Sequence, residues 1–303
     1  MKIVIAYEGA DPGDAALDDL ARAGLPTEGQ ATVFTVADIW PVSEESPSAD
    51  VLRAMPYVAQ TRARAKKIIA QATLVANRGA ARVRALLPGW RVTPEAAADS
   101  PAWAIFKKAR DSGADLVIVG CRPASRIARW AIGSVSSKVV AECAASVRVA
   151  RSRVKRADDP LRLIIGLDGS KHSDKALAQV LERVWPQGTF VRVVAAVDDR
   201  LRHAPLVNPA LARFGNPSDK DPRAWVGRLV ESAERRLLQM GLAASGRVID
   251  GDPRTVLADQ AARWRADALF VGARGVSRWE RALLGSVSTA LAARAPCTVE
   301  IVR

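Results

Sequence analysis

The chain has 303 residues, of which 49% are hydrophobic and 25% are charged, and it carries a formal net charge of +13. No apolar run approaches the roughly 18 residues that a membrane-spanning helix needs, and the first residues lack a signal-peptide pattern, so we expect a cytoplasmic protein. The three cysteines and two histidines show no spacing typical of a disulfide framework or a zinc site; they are Cys121, Cys143, Cys297, His172 and His203.

In chain order, the first half predicts strands that alternate with helices. A continuous apolar run over Ile3–Tyr7 is typical of a strand that is buried on both faces of a parallel sheet. The predicted elements that follow are a helix over Ala15–Ala23, a strand over Thr32–Val36, a long helix over about Asp50–Leu87, a strand over Arg91–Pro94, a helix over Pro101–Ser112, a strand over Leu116–Val119, a helix opened by Gly133-Ser134 and a strand over Val147–Ala150.

The second half predicts the same order of elements. Its strands are Leu163–Leu167, Phe190–Val197, Gly246–Asp250, Ala268–Val271 and Thr298–Val302, and its helices are Ser173–Val184, Arg223–Met240, Pro253–Trp264 and one opened by Gly285-Ser286. The segment Asp198–Pro222 is rich in proline and predicts an irregular loop. Strands that alternate with helices predict a parallel sheet covered by helices on both faces, with ligands beyond the carboxyl ends of the strands.

The two halves are a sequence repeat. Asp115 and Asp267 begin two stretches that keep a constant spacing of 152 residues to the end of each half. Within these stretches, Gly133-Ser134-Val135-Ser136 lies in register with Gly285-Ser286-Val287-Ser288. A repeat of this length indicates that one structural unit occurs twice.

The repeat predicts two domains, residues 1–153 and 159–303, joined by a polar segment without periodicity. The expected fold class is α/β, with two tandem, doubly wound, parallel five-stranded sheets in Rossmann-type layering. The positive charge raises the hypothesis of nucleic-acid binding. However, both halves share the charge and no basic tail is present, so solvated helix surfaces explain it better. An anionic small ligand or an acidic partner is compatible with the same charge.

A glycine-rich motif follows the fourth strand of the second half. Gly272 ends this strand, Gly275 permits a turn that most residues cannot make, and Gly285-Ser286 opens a helix after nine more residues. The free N–H groups and the dipole of a helix amino terminus suit a phosphate, and Ser286 adds a hydroxyl donor. Each glycine alone can have a structural role, but the full spacing predicts a phosphate site.

This motif, together with Asp168-Gly169 after the first strand of the half, resembles the ATP-binding branch of the universal stress protein (UspA-type) family, and the resemblance extends over essentially the whole chain as a tandem pair. It implies an adenine-nucleotide α-hydrolase-like fold, a stress-response role and an ATP site, with or without Mg²⁺, in the second domain. The implied nucleotide-binding residues are Asp168 and Gly169 near the ribose, Val197 and Val271 beside the adenine, Gly272 near the first phosphate, and Gly275, Gly285, Ser286 and Val287 around the phosphates.

The first half departs from the motif at two positions. Pro123 stands where the second half has Gly275, so an N–H donor is missing and the glycine-only turn is excluded. Glu8 stands where the second half has Asp168 and extends the carboxylate by about 1.5 Å. We therefore expect the nucleotide site to be degraded in the first domain, where Gly133-Ser134 retains at most a simple anion site.

Three functional hypotheses remain: an ATP-binding regulatory protein, a slow ATPase, and an interaction scaffold that needs no nucleotide. The sequence offers no dedicated general base and no evident carboxylate pair for Mg²⁺, so we expect at most weak ATP hydrolysis. The resemblance also implies dimerisation through the last strand. Since both copies share one chain, we expect Val147–Ala150 and Thr298–Val302 to pair as a pseudo-dimer. A further homodimer and an unknown protein partner stay open.

Overall fold

The computed structural model describes residues 1–39, 56–121, 132–151, 160–198, 222–275 and 284–303. The strands are β1 Lys2–Ala6, β2 Gly29–Ala37, β3 Trp90–Ala98, β4 Leu116–Gly120, β5 Ser146–Ala150, β6 Arg162–Gly166, β7 Phe190–Val197, β8 Ala243–Asp250, β9 Ala268–Gly272 and β10 Thr298–Val302. The helices are α1 Asp11–Asp19, α2 Pro56–Leu86, α3 Pro101–Ser112, α4 Ser134–Glu142, α5 Lys171–Glu182, α6 Pro222–Gln239, α7 Pro253–Arg263 and α8 Ser286–Arg294, with a 3₁₀ turn over Leu20–Arg22.

The strands form one continuous sheet in the order β3-β2-β1-β4-β5-β10-β9-β6-β7-β8. Neighbouring strands are parallel within each half, and β5 pairs with β10 in the antiparallel sense. The α/β fold with two five-stranded parallel units is therefore confirmed, and the expected pairing of the last strands joins the two units into a single sheet.

Two predicted elements differ from the structure for identifiable reasons. β3 runs through Pro94 to Ala98, beyond the predicted end. It is an edge strand that pairs only with β2, so the missing N–H of proline is tolerated. α1 begins at Asp11 instead of Ala15, because Pro12 occupies the first helical turn. A sequence of Asp, Pro and Gly is also typical of turns, and it concealed this start.

Several sequence predictions lie outside the described residues. These are the start of the long helix before residue 56, the proposed domain boundary at 153–159, Pro123, and most of the loop predicted after Asp198. Within the described ranges, no helix is long and apolar enough to cross a membrane.

One hydrophobic cluster extends across the joint between the two halves. Val147 and Val149 of β5 and Val299 and Ile301 of β10 belong to it, together with residues of both flanking units. The intervening residues of β5 and β10 face the opposite side of the sheet, because successive side chains of a strand alternate. One face of the sheet at the joint is therefore apolar, and the other carries the intervening residues, among them Arg148 and Glu300.

The second face of the joint carries a buried ion-pair network. Arg148 and Glu300 lie opposite each other in the β5–β10 register and are only 1% and 0% exposed. Arg148 Nη1 donates to Glu300 Oε2 at 2.9 Å, and Arg148 Nε donates to Asp19 Oδ2 at 2.5 Å. Arg183, which follows α5, also donates to Glu300, with Nη1 at 2.8 Å from Oε2. Side chains from both halves thus neutralise one another away from water.

The charges of this network determine how it responds to pH. Burial by itself raises the pKa of the Glu300 carboxyl, but Arg183 and Arg148 outweigh burial and hold that pKa below its ordinary value. A depressed carboxyl pKa contributes stability above the unfolded-state value, and this contribution is lost as the pH falls through the folded-state value. The joint is therefore most stable when Glu300 is ionised.

Contacts beside this network also connect the halves. Arg22 Nη2 lies 2.9 Å from Asp267 Oδ1, and both side chains are nearly buried. Arg183 Nη1 also donates to the carbonyl of Ala23 at 2.9 Å, and the N–H of Val184 donates to the carbonyl of Gly24 at 3.2 Å. The two halves are thus held together by side chains and backbone from α1, α5 and the segments that follow them.

We predict that Glu300→Gln lowers the free energy of unfolding by about 3–5 kcal/mol at neutral pH, because it leaves buried arginine charge without its carboxylate. Urea denaturation measures the change. Asp111→Asn is the control, since its ion pair with Arg110 is exposed and its removal is expected to cost less than about 1 kcal/mol. The difference between wild type and Glu300→Gln should shrink on acidification, as Glu300 becomes protonated. Equal stability of the two proteins at neutral pH would contradict the analysis of this network.

Candidate functional site

A pocket opens at the carboxyl ends of β6, β7 and β9, beside the start of α8. Its empty volume, including the space at the mouth, is about 770 Å³. From β6 the chain proceeds outwards through β7 to β8 and then crosses back to β9 on the other side of β6, so the pocket lies at the switch point where parallel sheets bind ligands. The lining residues are Gly166, Leu167, Asp168, Ser173, Val194, Ala196, Asp198, Pro253, Leu257, Val271, Gly272, Arg274, Gly275, Gly285, Ser286, Val287 and Ser288.

One end of the pocket is formed by the first turn of α8. The N-cap residue Gly285 provides no side-chain cap for the helix, so the first amides have no partner from that source. The N–H of Gly285 itself donates to the carbonyl of Ala273 at 2.7 Å. Gly285 therefore shapes the turn without offering its own N–H, and the donors that suit an anion are those of Ser286 and Val287.

Gly275 and Asp168 approach each other across the pocket. A Cβ atom at Gly275 would lie 2.6 Å from Asp168 Oδ2, which is closer than Cβ atoms pack. Asp168 accepts a hydrogen bond from the N–H of Ser170 at 3.0 Å, and the turn is completed by Gly169 with φ 75°. Any side chain at position 275 would thus press on the carboxylate that follows β6. The predicted glycine-only turn at Gly275 is wrong, because its φ lies outside the left-handed region, and the close approach to Asp168 is what favours glycine here.

Gly272 has a role that the sequence did not indicate. Its Cβ would lie 2.6 Å from the carbonyl carbon of His172 and 2.7 Å from the nitrogen of Ser173. The missing side chain therefore lets the start of α5 approach β9, although Gly272 also lines the pocket. Ser170 caps α5, and its hydroxyl donates to the carbonyl of Arg274 at 3.1 Å. The loops after β6 and β9 are connected by this contact.

The apolar end of the pocket differs from the sequence prediction at β7. Val271 lines the pocket as expected, but Val197 lies in the core on the opposite face of the sheet, and Gly169 is not among the lining residues. Val194 and Ala196 line the pocket instead, because residues two apart in a strand share a face. Strand alternation was the signal that would have corrected Val197.

The charged groups of the pocket also go beyond the sequence prediction. Asp168 and Asp198 both line it, so a pair of carboxylates is present that sequence spacing did not reveal. Arg274 adds a positive charge. His172 lies nearby, and burial, followed by Arg274 and Lys175, lowers its pKa below the ordinary value. His172 is therefore mainly uncharged at neutral pH and contributes little electrostatic attraction for an anion.

The first half contains a pocket at the equivalent position, with an empty volume of about 870 Å³. Phe34 and Glu8 stand there in place of Val194 and Asp168. α4 begins after Gly133, which also provides no side-chain cap. Volume thus does not distinguish the two pockets, whereas the residues that line them do.

Comparisons with known proteins agree with this fold. The model of the universal stress protein family matches residues 1–151 and again residues 161–303. Stress response protein NhaX of Bacillus subtilis is 25% identical over 161 residues, which cover 47% of this chain and 97% of that protein.

Two solved structures cover nearly the whole chain and support the fold. A universal stress protein from Archaeoglobus fulgidus is 18% identical, with a TM-score of 0.63 and coverage of 100% of this chain and 98% of that one. A Pseudomonas aeruginosa protein of unknown function is 13% identical, with a TM-score of 0.59 and coverage of 99% and 92%. Since the family model matches both halves, the chain belongs to the universal stress protein family.

Proposed function

We propose that residues 160–303 bind an adenine nucleotide, in the first place ATP, and that the protein is a nucleotide-dependent regulator in a stress response. The observation that carries the proposal is the uncapped start of α8, which faces one pocket together with Gly275 and Asp168. Backbone amides at such a helix start, supported by the helix dipole, favour phosphate groups.

The pocket has a chemically suitable place for each part of the ligand. Val194, Ala196, Leu257 and Val271 form an apolar end that accommodates a planar base. The carboxylate of Asp168 can accept hydrogen bonds from ribose hydroxyls. Ser286 and Val287 then hold the phosphates. Where Mg²⁺ accompanies the nucleotide, Asp168 and Asp198 are the carboxylates of this pocket that suit it, since Mg²⁺ prefers oxygen ligands.

The second half is favoured over the first on three positions. Gly275 becomes proline in the first half, and Asp168 and Val194 become Glu8 and Phe34. Proline removes an amide, the longer carboxylate occupies ribose space, and the larger ring occupies base space. All three changes oppose a nucleotide, so we assign the nucleotide to the second half alone.

Slow ATP hydrolysis is a second candidate function, and the pair Asp168 and Asp198 favours it. Among the described residues that line the pocket there is nevertheless neither a histidine nor a lysine to assist the two carboxylates. Phosphoryl transfer depends on groups that position the nucleophile and neutralise the leaving phosphate, and these are scarce here. Binding without efficient turnover is therefore the better-supported activity.

We predict that Gly275→Pro, which reproduces the residue of the first half, abolishes most of the thermal stabilisation by ATP. At a ligand concentration of 100 times Kd, the wild-type chain should gain about 2.7 kcal/mol, and the variant much less. Gly227→Ala is the control, because a Cβ there meets nothing within 4 Å and lies in α6, away from the pocket. Similar shifts for wild type and Gly275→Pro would refute the site.

A reciprocal exchange tests which half binds. We predict that Asp168→Glu weakens ATP binding about tenfold, since the added methylene displaces ribose, whereas Glu8→Asp leaves binding unchanged. Calorimetric titration gives both Kd values and the stoichiometry. Two nucleotides per wild-type chain, or sensitivity to Glu8→Asp, would show that the first half binds as well.

Hydrolysis is tested by phosphate release with Mg²⁺ present. We expect turnover no faster than about 10⁻³ per second, the order of an unassisted nucleotide hydrolase. A faster rate that falls with Asp198→Asn, while ATP binding is retained, would establish the ATPase alternative.

A further inference from the structure

A basic groove lies between α7 and the strands β7 and β8. Arg192 comes from β7, Arg247 from β8, and Arg263 and Trp264 from the end of α7. The empty volume of the groove, including open space at its mouth, is about 800 Å³. The nucleotide pocket is lined by the beginning of α7, so the two sites lie towards opposite ends of this helix.

The arginines of this groove are positioned by the sheet and by an aromatic pair. Arg192 and Arg247 point to the α7 side of the sheet, and the guanidinium carbon of Arg192 lies 4.2 Å from the ring centre of Trp264. Trp264 in turn packs edge-on against Phe190, with ring centres 5.7 Å apart. A cation held over an indole face loses little further freedom when it binds an anion.

No carboxylate neutralises these arginines in the part of the chain that the structure describes. No acidic side chain lines the groove among the described residues, and none of these residues forms an ion pair with Arg192, Arg247 or Arg263. Arg162 adds a further positive charge, and its Nη1 donates to the carbonyl of Trp264 at 3.1 Å. Burial and the charges of Arg247 and Arg162 lower the pKa of Arg192. Like charges therefore lie close together, and a bound anion would relieve the repulsion between them.

Two buried polar atoms, one on a groove residue and one on its neighbour in the sheet, also lack partners among the described residues. They are Nε of Arg192 and Oγ of Ser245, and these two residues lie opposite each other in the β7–β8 register. Buried donors without acceptors are unfavourable, and most are satisfied by protein, water or ligand.

The first half shows that the fold does not require this arrangement. The positions of Arg192, Arg247 and Arg263 are taken there by Thr32, Glu95 and Asp111. Glu95 forms an ion pair with Lys108 at 2.6 Å on the corresponding surface. The equivalent surface is therefore mixed in charge and internally neutralised, and the basic groove is a property of the second half alone.

We infer that this groove binds a multiply charged anion of the phosphate class at a site separate from the nucleotide pocket. Guanidinium groups match phosphate oxygens in pairs of hydrogen bonds, and several arginines at one groove favour an anion with more than one charge. A small anion fits better than single-stranded nucleic acid, because Arg192 already covers the indole face on which a base would stack. The inference does not depend on the proposed nucleotide site.

The test is a calorimetric titration of the full chain with inorganic tripolyphosphate at low salt. Arg247→Glu/Arg263→Glu reverses two exposed charges of the groove, and we expect binding to weaken about tenfold or more. Arg91→Glu/Arg235→Glu makes the same change in net charge on other exposed surfaces and should alter Kd by less than about twofold. Gly275→Pro should keep one tripolyphosphate site with unchanged Kd, even if binding at α8 is lost, which separates the groove from the glycine-rich loop.

Four outcomes would overturn the inference. The first is an absence of tripolyphosphate binding to the wild-type chain. The second is an equal loss in both charge-reversal variants, since this would indicate a diffuse effect of net charge. The third is a loss in Gly275→Pro with retention in the groove variant, which would place the anion at α8. Binding of single-stranded DNA that only the groove variant loses, without tripolyphosphate binding, would also reject it in favour of a nucleic-acid surface.

Discussion

The pairing of Arg148 with Glu300 at the centre of the sheet is the constraint on which the architecture depends. The two residues occupy the same position in the two copies of the repeat, and the antiparallel register of β5 and β10 places them opposite each other. If the two copies were identical, the same residue would stand on both sides of the joint, and either two arginines or two glutamates would meet away from water. Like charges buried together are strongly unfavourable. With charged residues at this position, the joint therefore requires two different copies, one of each charge.

Because the joint already requires two different sequences, the copies are free to differ in their pockets. The cluster behind the joint strands also contains the apolar ends of both pockets, with Phe34 and Ile105 from one half and Val194 and Leu257 from the other. Both pockets thus share one core with the joint, while the residues facing a ligand differ. This arrangement explains how one half can keep a nucleotide motif that the other half has lost without any loss of the common fold.

The sequence revealed features that repeat along the chain and missed those that depend on which face a residue occupies. The two parallel five-stranded units followed from the repeat, and the β5–β10 pairing followed from the family resemblance. The choice between Val197 and Val194 required the phase of β7, which Arg192 alone marks in an otherwise apolar strand. The sequence places Gly285 around the phosphates, but its N–H is engaged within the protein, because the carbonyl of Ala273 accepts it. The basic groove joins β7, β8 and α7, so no local pattern marks Arg192 and Arg247 as neighbours.

The capping of the helices around the nucleotide pocket fixes the direction in which a nucleotide would lie. Ser170 caps α5 with its hydroxyl, and Asp252 caps α7 by accepting from the N–H of Arg254 at 2.8 Å. The Asp252 carboxylate, whose pKa is lowered to about 2 mainly by its hydrogen bond with Arg254, thus occupies the start of α7 and is paired there with that arginine. Only α8, among these three, begins without a side-chain cap. In the proposed complex the phosphates would therefore lie at Ser286, and the base would take the apolar end near Val271.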